Sequence, residues 1–229
     1  MLLELCPELQ LLAHEGQPYS NLPHYRRFEY EHVTVEQRPY HRTKKPLQIS
    51  HIWGIRIRLE LEGKTRDLAL FNMALDSKLR GCNLVKLKVS DVAYGRSVSS
   101  RATVLQQKTG RPVQFEITKR TKEAVTELIK LGNLHSKDFL FRSRIGTNRH
   151  ISTRQYSRIF HGWVEKLGLE ASLYSTHSMR RTKPYLIYKK TKNLRVIQLL
   201  LGHKKLESTV RYLGIEVDDA LEISESIEV

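Results

Sequence analysis

The polar groups between Ser175 and Gly214 restrict what this chain can fold into more than any other stretch does. It reads Ser175-Thr-His177-Ser-Met-Arg180-Arg181, then a mixed run, then Leu201-Gly202-His203, then Ser208-Thr-Val-Arg-Tyr212-Leu-Gly214. His177 and Arg180 stand three apart, so a helix would set both on one face. His203 follows a glycine, where the backbone can turn sharply. Tyr212 comes nine residues later, in a Ser/Thr-rich setting suited to a short capped helix. A guanidinium and two imidazoles can hold a phosphate by charge and hydrogen bonds. A tyrosine hydroxyl can attack that phosphate covalently.

In that order and spacing, His177-x-x-Arg180, Leu201-Gly202-His203 and Tyr212 resemble the C-terminal signature of the tyrosine recombinases, the phage-integrase family. Each piece alone is weak, since H-x-x-R recurs by chance; the ordered set is specific. The resemblance implies the family's catalytic-domain fold, mainly α with a small antiparallel β-hairpin or sheet (α+β), over residues 47–214. It also implies that Tyr212 is the nucleophile and that His177, Arg180 and His203 act on the phosphate.

The upstream chain supplies what such a site still lacks. Lys78-Leu-Arg80-Gly-Cys-Asn83-Leu resembles the family's first arginine box, with Arg80 as a second phosphate clamp. The family usually has an acidic residue three positions after that arginine; here Asn83 stands there, which implies a less firmly oriented Arg80. Thr103 to Ile117 reads as a hairpin, two β-branched or apolar runs flanking Lys108-Thr-Gly110-Arg111, with Gly110 supplying a positive φ. In the family the hairpin lysine is the general acid, and Lys108 matches it, with Arg111 as a further phosphate contact.

Elsewhere apolar spacing marks helices. Leu68, Phe71, Ala74 and Leu75 give one over 66–77. Thr118–Leu131 gives another, with Ala124, Val125, Leu128 and Ile129 on one side. Ser152–Leu167 gives a third, with Tyr156, Ile159, Phe160, Trp163 and Val164 inward; Arg154 and Arg158 on its other face could meet DNA or simply be solvated. Signals conflict over 47–63: Ile55-Arg-Ile-Arg-Leu-Glu-Leu-Glu alternates as a strand would, while Ile49, Ile52, Trp53 and Leu59 fit a helical stripe, and the resemblance implies a helix. Ser175 or Thr176 should open the helix carrying His177, Arg180 and Arg181, the last expected to contact DNA, and the free N–H groups at its start favour an anion. Pro184 should bend that helix or shorten its first part.

Residues 1–46 carry five prolines and mix Tyr25, Phe28, Tyr30 and Tyr40 with arginines and lysines. Two readings stand, an arm that tracks a nucleic-acid backbone or one packed on the domain. They are too few for the separate helical clamp domain that tyrosine recombinases usually carry, so the resemblance is to compact members such as the fimbrial-switch invertases. The last segment, 215–229, reads as an acidic amphipathic helix (Val217, Ala220, Leu221, Ile223, Ile227) that docks either on a neighbouring protomer, as in the family, or on its own domain.

Charge points to the partner. The formal net charge is +15; six of the 24 acidic residues and none of the 39 basic ones lie in 215–229, so residues 1–214 carry +21. Such a body favours a polyanion, nucleic acid first and an anionic membrane second. No apolar run reaches the ~18–20 residues of a membrane span. Two cysteines build neither a disulfide framework nor a cysteine zinc site, which fits a reducing, cytoplasmic setting.

The resemblance, with which the charge agrees, implies a site-specific DNA recombinase working through a 3′-phosphotyrosyl intermediate, without metal, ATP or cofactor. The expected partners are double-stranded DNA, further copies of the chain (a tetramer in synapsis, linked through 215–229) and, for some targets, accessory DNA-bending proteins. A type IB topoisomerase and a catalytically weak DNA-binding regulator of the same fold are the alternatives.

Overall fold

The computed structural model describes residues 44–95, 97–146, 149–215, 221 and 224–225. The N-terminal arm expected over 1–46 lies outside these residues up to position 43, and so does most of the tail expected over 215–229.

Helix α1, Ile49–Leu61, resolves the conflict between periods. Ile52, Ile55 and Leu59 are buried, whereas Ile57 is 50% and Leu61 84% exposed. A half-buried strand would have hidden Ile55, Ile57, Leu59 and Leu61 together. Helix α2, Thr65–Ser77, packs on α1, α5 and α7. Every residue from Ala69 to Ser77 is buried, so α2 is apolar or internally bonded all round rather than along one stripe. It stops at Lys78, whose left-handed φ of 54° turns the chain so that Arg80 caps the short helix α3, Gly81–Leu84.

After α4 (Val89–Val92) come two antiparallel hairpins. The first, β1 (Ala93–Tyr94) with β2 (Ser97–Val98), has no counterpart in the sequence reading. The second, β3 (Arg101–Leu105) with β4 (Pro112–Glu116), sets Val104 opposite Val113. Ala102, Val113 and Phe115 point into the core. Gln106 closes its turn: its N–H donates to the Arg111 carbonyl at 2.8 Å and its carbonyl accepts from Gly110 N at 2.8 Å. Gly110 has the expected positive φ, 62°.

Helices α5 (Lys119–Leu131) and α6 (Thr153–Lys166) fall where apolar spacing places them. Ser152 caps α6, accepting from Gln155 N at 3.0 Å. Tyr156, Phe160, Trp163 and Val164 enter the main core, where Phe71 meets Trp163 edge to face. Each such aromatic contributes roughly 1.5–3 kcal/mol by leaving water.

A 3-10 turn, Ala171–Leu173, leads into α7, Thr176–Thr191. Here the expectation for Pro184 is corrected in one respect: α7 is not shortened but runs unbroken through it. Proline removes only the N–H that would reach the Arg180 carbonyl. In the turn before it, the Thr182 hydroxyl donates to Ser178 O at 2.7 Å, and Met179, Thr182 and Pro184 are buried against the body. Helices α8 (Leu194–Leu201) and α9 (Leu206–Leu213) follow. Ile197, Leu201 and Leu213 form a second, smaller core with Ile187, Tyr188 and Tyr212 packed on it. That cluster fixes where α9 presents Tyr212. No helix among the described residues is long and apolar enough to cross a membrane.

Candidate functional site

The C-terminal end of α2, the β3–β4 turn, the N-terminus of α7, the end of α8 and helix α9 meet in one basic concavity. Each contributes a polar group for a local reason. Ser175 caps α7 in a reciprocal box: its hydroxyl accepts from His177 N at 3.2 Å, and its own N–H donates to Ser178 Oγ at 3.1 Å. This places His177 in the first turn, exposed at the mouth, and Arg180 one turn deeper, 4% exposed.

Arg180 is held by backbone carbonyls. Its Nη1 donates to Lys78 O at 2.6 Å and its Nη2 to Leu201 O at 3.2 Å. Both acceptors are neutral, so the positive charge is not cancelled. The first lies at the α2–α3 turn and the second at the end of α8, so Arg180 joins the two halves of the site. Lys78 is itself fixed from behind: its fully buried Nζ donates to both Glu116 carboxylate oxygens, at 3.0 and 2.8 Å. Lys183 bridges Glu116 and Asp76, at 2.6 Å to each. Asp76 also accepts from Thr118 N at 2.8 Å.

Arg80 donates through Nη1 to Gln106 Oε1. Where the family usually has an acidic residue, the Asn83 side-chain oxygen accepts from Gln107 N at 3.3 Å, and a glutamine from the hairpin supplies a partner for Arg80. Lys108 stands exposed on the turn between them.

Past Gly202, whose φ is 66°, the chain reverses so that His203 points back at the site. Its Nδ1 pairs with the buried Thr209 hydroxyl at 3.1 Å, and its Nε2 has no partner among the described residues. Its ring meets Tyr212 edge to face, with centroids 5.4 Å apart. Above the phenol ring lie the guanidinium carbons of Arg181 at 5.5 Å and Arg180 at 6.0 Å. The Tyr212 hydroxyl is buried and makes no well-aligned hydrogen bond among the described residues, although the Arg180 guanidinium lies near enough to favour the phenolate.

Electrostatics follow from this crowding. Burial pushes the Tyr212 phenol up to about 12, against the pull of Arg180 and Arg181. Burial, then the charges of Arg180 and Arg80, lowers His203 to about 4. Partial desolvation, then Arg180, Arg80, Arg181 and Lys108, lowers His177 as well. Both imidazoles are thus neutral at pH 7 and able to accept a proton. These charges suit an anion. A phosphate among Arg80, Arg180 and the histidines would offset the cationic field and give the buried phenol an electrophile.

Of the residues singled out from sequence, Arg80, His177, Arg180, His203 and Tyr212 come together, and Lys108, on the exposed hairpin turn, is near enough for its charge to act on His177. Arg181 joins them, but as a mostly buried neighbour of the Tyr212 ring rather than a surface contact. Arg111 is exposed on the hairpin turn and Arg154 on α6. Arg158 lines a different concavity, with Lys64, Asp67 and Trp163 between the α1–α2 turn and α6. Sequence reasoning passed over Gln106, Lys78 and Thr209. Gln106 had no short-range signal, because its partners lie 26 and 95 residues away.

Comparisons with known proteins bear on family and fold. The model of the phage integrase family matches residues 55–217. "Probable integrase/recombinase YoeC" of Bacillus subtilis is 30% identical over 158 residues, 69% of this chain and 82% of that protein. Tyrosine recombinase XerC of Caldanaerobacter subterraneus is 27% identical over 67% of this chain. The chain spans only 42% of the length of that relative. Among solved structures, XerA recombinase superposes with a TM-score of 0.64 at 20% identity, over 79% of this chain and 64% of that one. XerH recombinase in its post-cleavage complex on a palindromic difH substrate gives 0.65 at 18%, over 80% and 52%. The fold is that of the tyrosine recombinase catalytic domains.

Proposed function

Since this chain belongs to the phage integrase family, we propose that it is a site-specific DNA recombinase that breaks and rejoins strands through Tyr212. The observation carrying this reading is the buried Tyr212 phenol beneath the guanidinium groups of Arg180 and Arg181, with Arg80 and two neutral imidazoles close by.

The chemistry balances within the chain's own residues. Arg80 and Arg180 hold the non-bridging oxygens of the scissile phosphate and offset the charge that grows there. The Tyr212 oxygen attacks phosphorus, and its proton passes to His177, whose lowered basicity leaves it free to accept at neutral pH. The bond from phosphorus to the 5′ oxygen breaks, and Lys108 protonates the departing oxygen. The products are a 3′-phosphotyrosyl link and a free 5′-hydroxyl. His203, fixed by Thr209, donates through Nε2 to a phosphate oxygen. Rejoining reverses these steps with a 5′-hydroxyl from another strand. The phosphotyrosyl bond conserves the energy of the original, so neither ATP nor a metal ion takes part.

Double-stranded DNA is the partner in this reading, with Arg111, Arg154 and Arg158 as candidate backbone contacts. Copies of the chain assemble on it, as a tetramer in synapsis linked through 215–229. The burial that raises the Tyr212 phenol gives a second reading some support, a DNA-binding regulator that rarely cleaves.

One experiment separates the two. Duplexes with a randomised core and a suicide nick are incubated with the chain, and covalent protein–DNA adducts are recovered under denaturing conditions. Enrichment of a sequence in adducts that vanish with Tyr212→Phe supports the recombinase. Selective binding without any adduct favours the regulator.

A further inference from the structure

We infer that Gln106 is the positioning residue that locks the two phosphate-clamping arginines and the general-acid lysine into one frame; the inference rests on the reading above. Its side chain is 1% exposed, and each of its polar groups is committed. The amide oxygen accepts from Arg80 Nη1. The amide nitrogen reaches the Leu201 carbonyl at 3.5 Å, the same oxygen that accepts Arg180 Nη2 at 3.2 Å. Its backbone N–H and carbonyl close the turn that presents Lys108, by bonds to Arg111 O and from Gly110 N. One residue therefore touches the anchoring of all three cationic groups.

The chemistry of an amide suits this place. A carboxylate beside Arg80 would form a stronger bond but withdraw positive charge from the phosphate. It would also set an oxygen against the Leu201 carbonyl, where Gln106 has a donor. A neutral amide satisfies both neighbours and leaves each guanidinium its full charge. The approach is possible only because residue 202 is glycine: a Cβ there would lie 3.2 Å from Gln106 Nε2 and 2.9 Å from Val113 Cγ2. Asn83 attends to the backbone of Gln107, so the orienting role falls to the hairpin.

The test compares wild type with Gln106→Met, which keeps bulk and loses both bonds, and Gln106→Glu, which keeps the acceptor and loses the donor. Two readouts are taken. Rotation of the Arg80 guanidinium about Cζ–Nη, followed by nitrogen NMR without DNA, reports orientation directly. The rate of Tyr212 adduct formation at saturating nicked duplex, taken from the selected pool, reports catalysis. Gln106→Met should speed the rotation severalfold and slow the adduct step by about 100-fold, as misplacement of about 1 Å does, with duplex Kd within about twofold. Gln106→Glu should leave the rotation slow and still lower the rate. Unchanged Arg80 rotation in a folded Gln106→Met chain, or a rate loss mirrored in Kd alone, overturns the inference. Absence of any wild-type adduct would count against the recombinase reading, while the rotation measurement would still decide the role of Gln106. Should Gln106→Met not fold, fast rotation in Gln106→Glu overturns the inference and slow rotation supports it.

Discussion

Replacing Gly202 by alanine tests how the end of α8 is fitted to the hairpin. Two costs are separable. A left-handed φ of 66° costs a residue with a Cβ about 1–2 kcal/mol. The new methyl would also sit 2.9 Å from Val113 Cγ2, closer than carbon atoms pack, and relieving that contact costs about 1–3 kcal/mol. Gly110 is the control: its φ is 62°, but nothing lies within 4 Å of a Cβ there, so Gly110→Ala carries only the first cost. Urea unfolding should therefore place Gly202→Ala about 1–3 kcal/mol below Gly110→Ala. At roughly 2–4 °C per kcal/mol for a chain of this length, its Tm should fall about 10 °C below wild type. Val113→Ala combined with Gly202→Ala should show a favourable coupling of about 1 kcal/mol or more, because the clash has lost its partner. The catalytic effect should exceed the stability effect, since the Leu201 carbonyl beside Gly202 anchors both Arg180 and Gln106. Equal stabilities for the two alanine variants, or no coupling with Val113, would refute the proposed fit.

The buried network behind Arg180 should respond unequally to its two ends. Glu116→Ala strands the fully buried Lys78 charge and should cost about 3–5 kcal/mol, while Lys78→Met removes that charge, leaves Glu116 with Lys183 and should cost less; denaturant midpoints of the two decide it. His203, lowered to about 4 in the fold, takes up a proton more readily when unfolded, so its contribution to stability is present above pH 6.5 and is lost as pH falls toward 4. Urea midpoints at pH 7, 5 and 4 follow the loss, and Arg180→Gln should raise the imidazole pKa in an NMR titration. On selected duplex, alanine at Arg154 should reduce the slope of log affinity against log salt by about 1 if its side chain meets a phosphate. Arg158, set in another concavity, should change the slope only if DNA extends across the α1–α2 turn.

Much of this was readable from local signals. The periods of α5 and α6 follow apolar spacing, because each buries a stripe against the same body. The motif residues fall at helix ends and turns whose chemistry is short-range, as with Ser175 at the cap of α7 and Gly110 in the hairpin. What was hidden depends on contacts distant in sequence. Alternation around Ile55 suggested a strand until tertiary packing chose Ile52, Ile55 and Leu59 as the inward face. Asn83 stands where the family usually has an acidic residue, yet a partner for Arg80 comes from the hairpin turn 26 residues away. The burial of Lys78 could not be inferred from a lysine in a polar turn, because its counter-charge lies on β4. Pro184 suggested an early helix end, and only the packing around α7 shows why the helix continues.

The most direct test is to digest the trapped protein–DNA adduct and identify the linked peptide by mass spectrometry, while labelling the released DNA end. The account predicts that the nucleotide is attached by its 3′ phosphate to Tyr212, in the peptide spanning Leu206–Leu213, and that the opposite end is a 5′-hydroxyl. A 5′ linkage, attachment to another of the ten tyrosines, or cleavage persisting in Tyr212→Phe would contradict it.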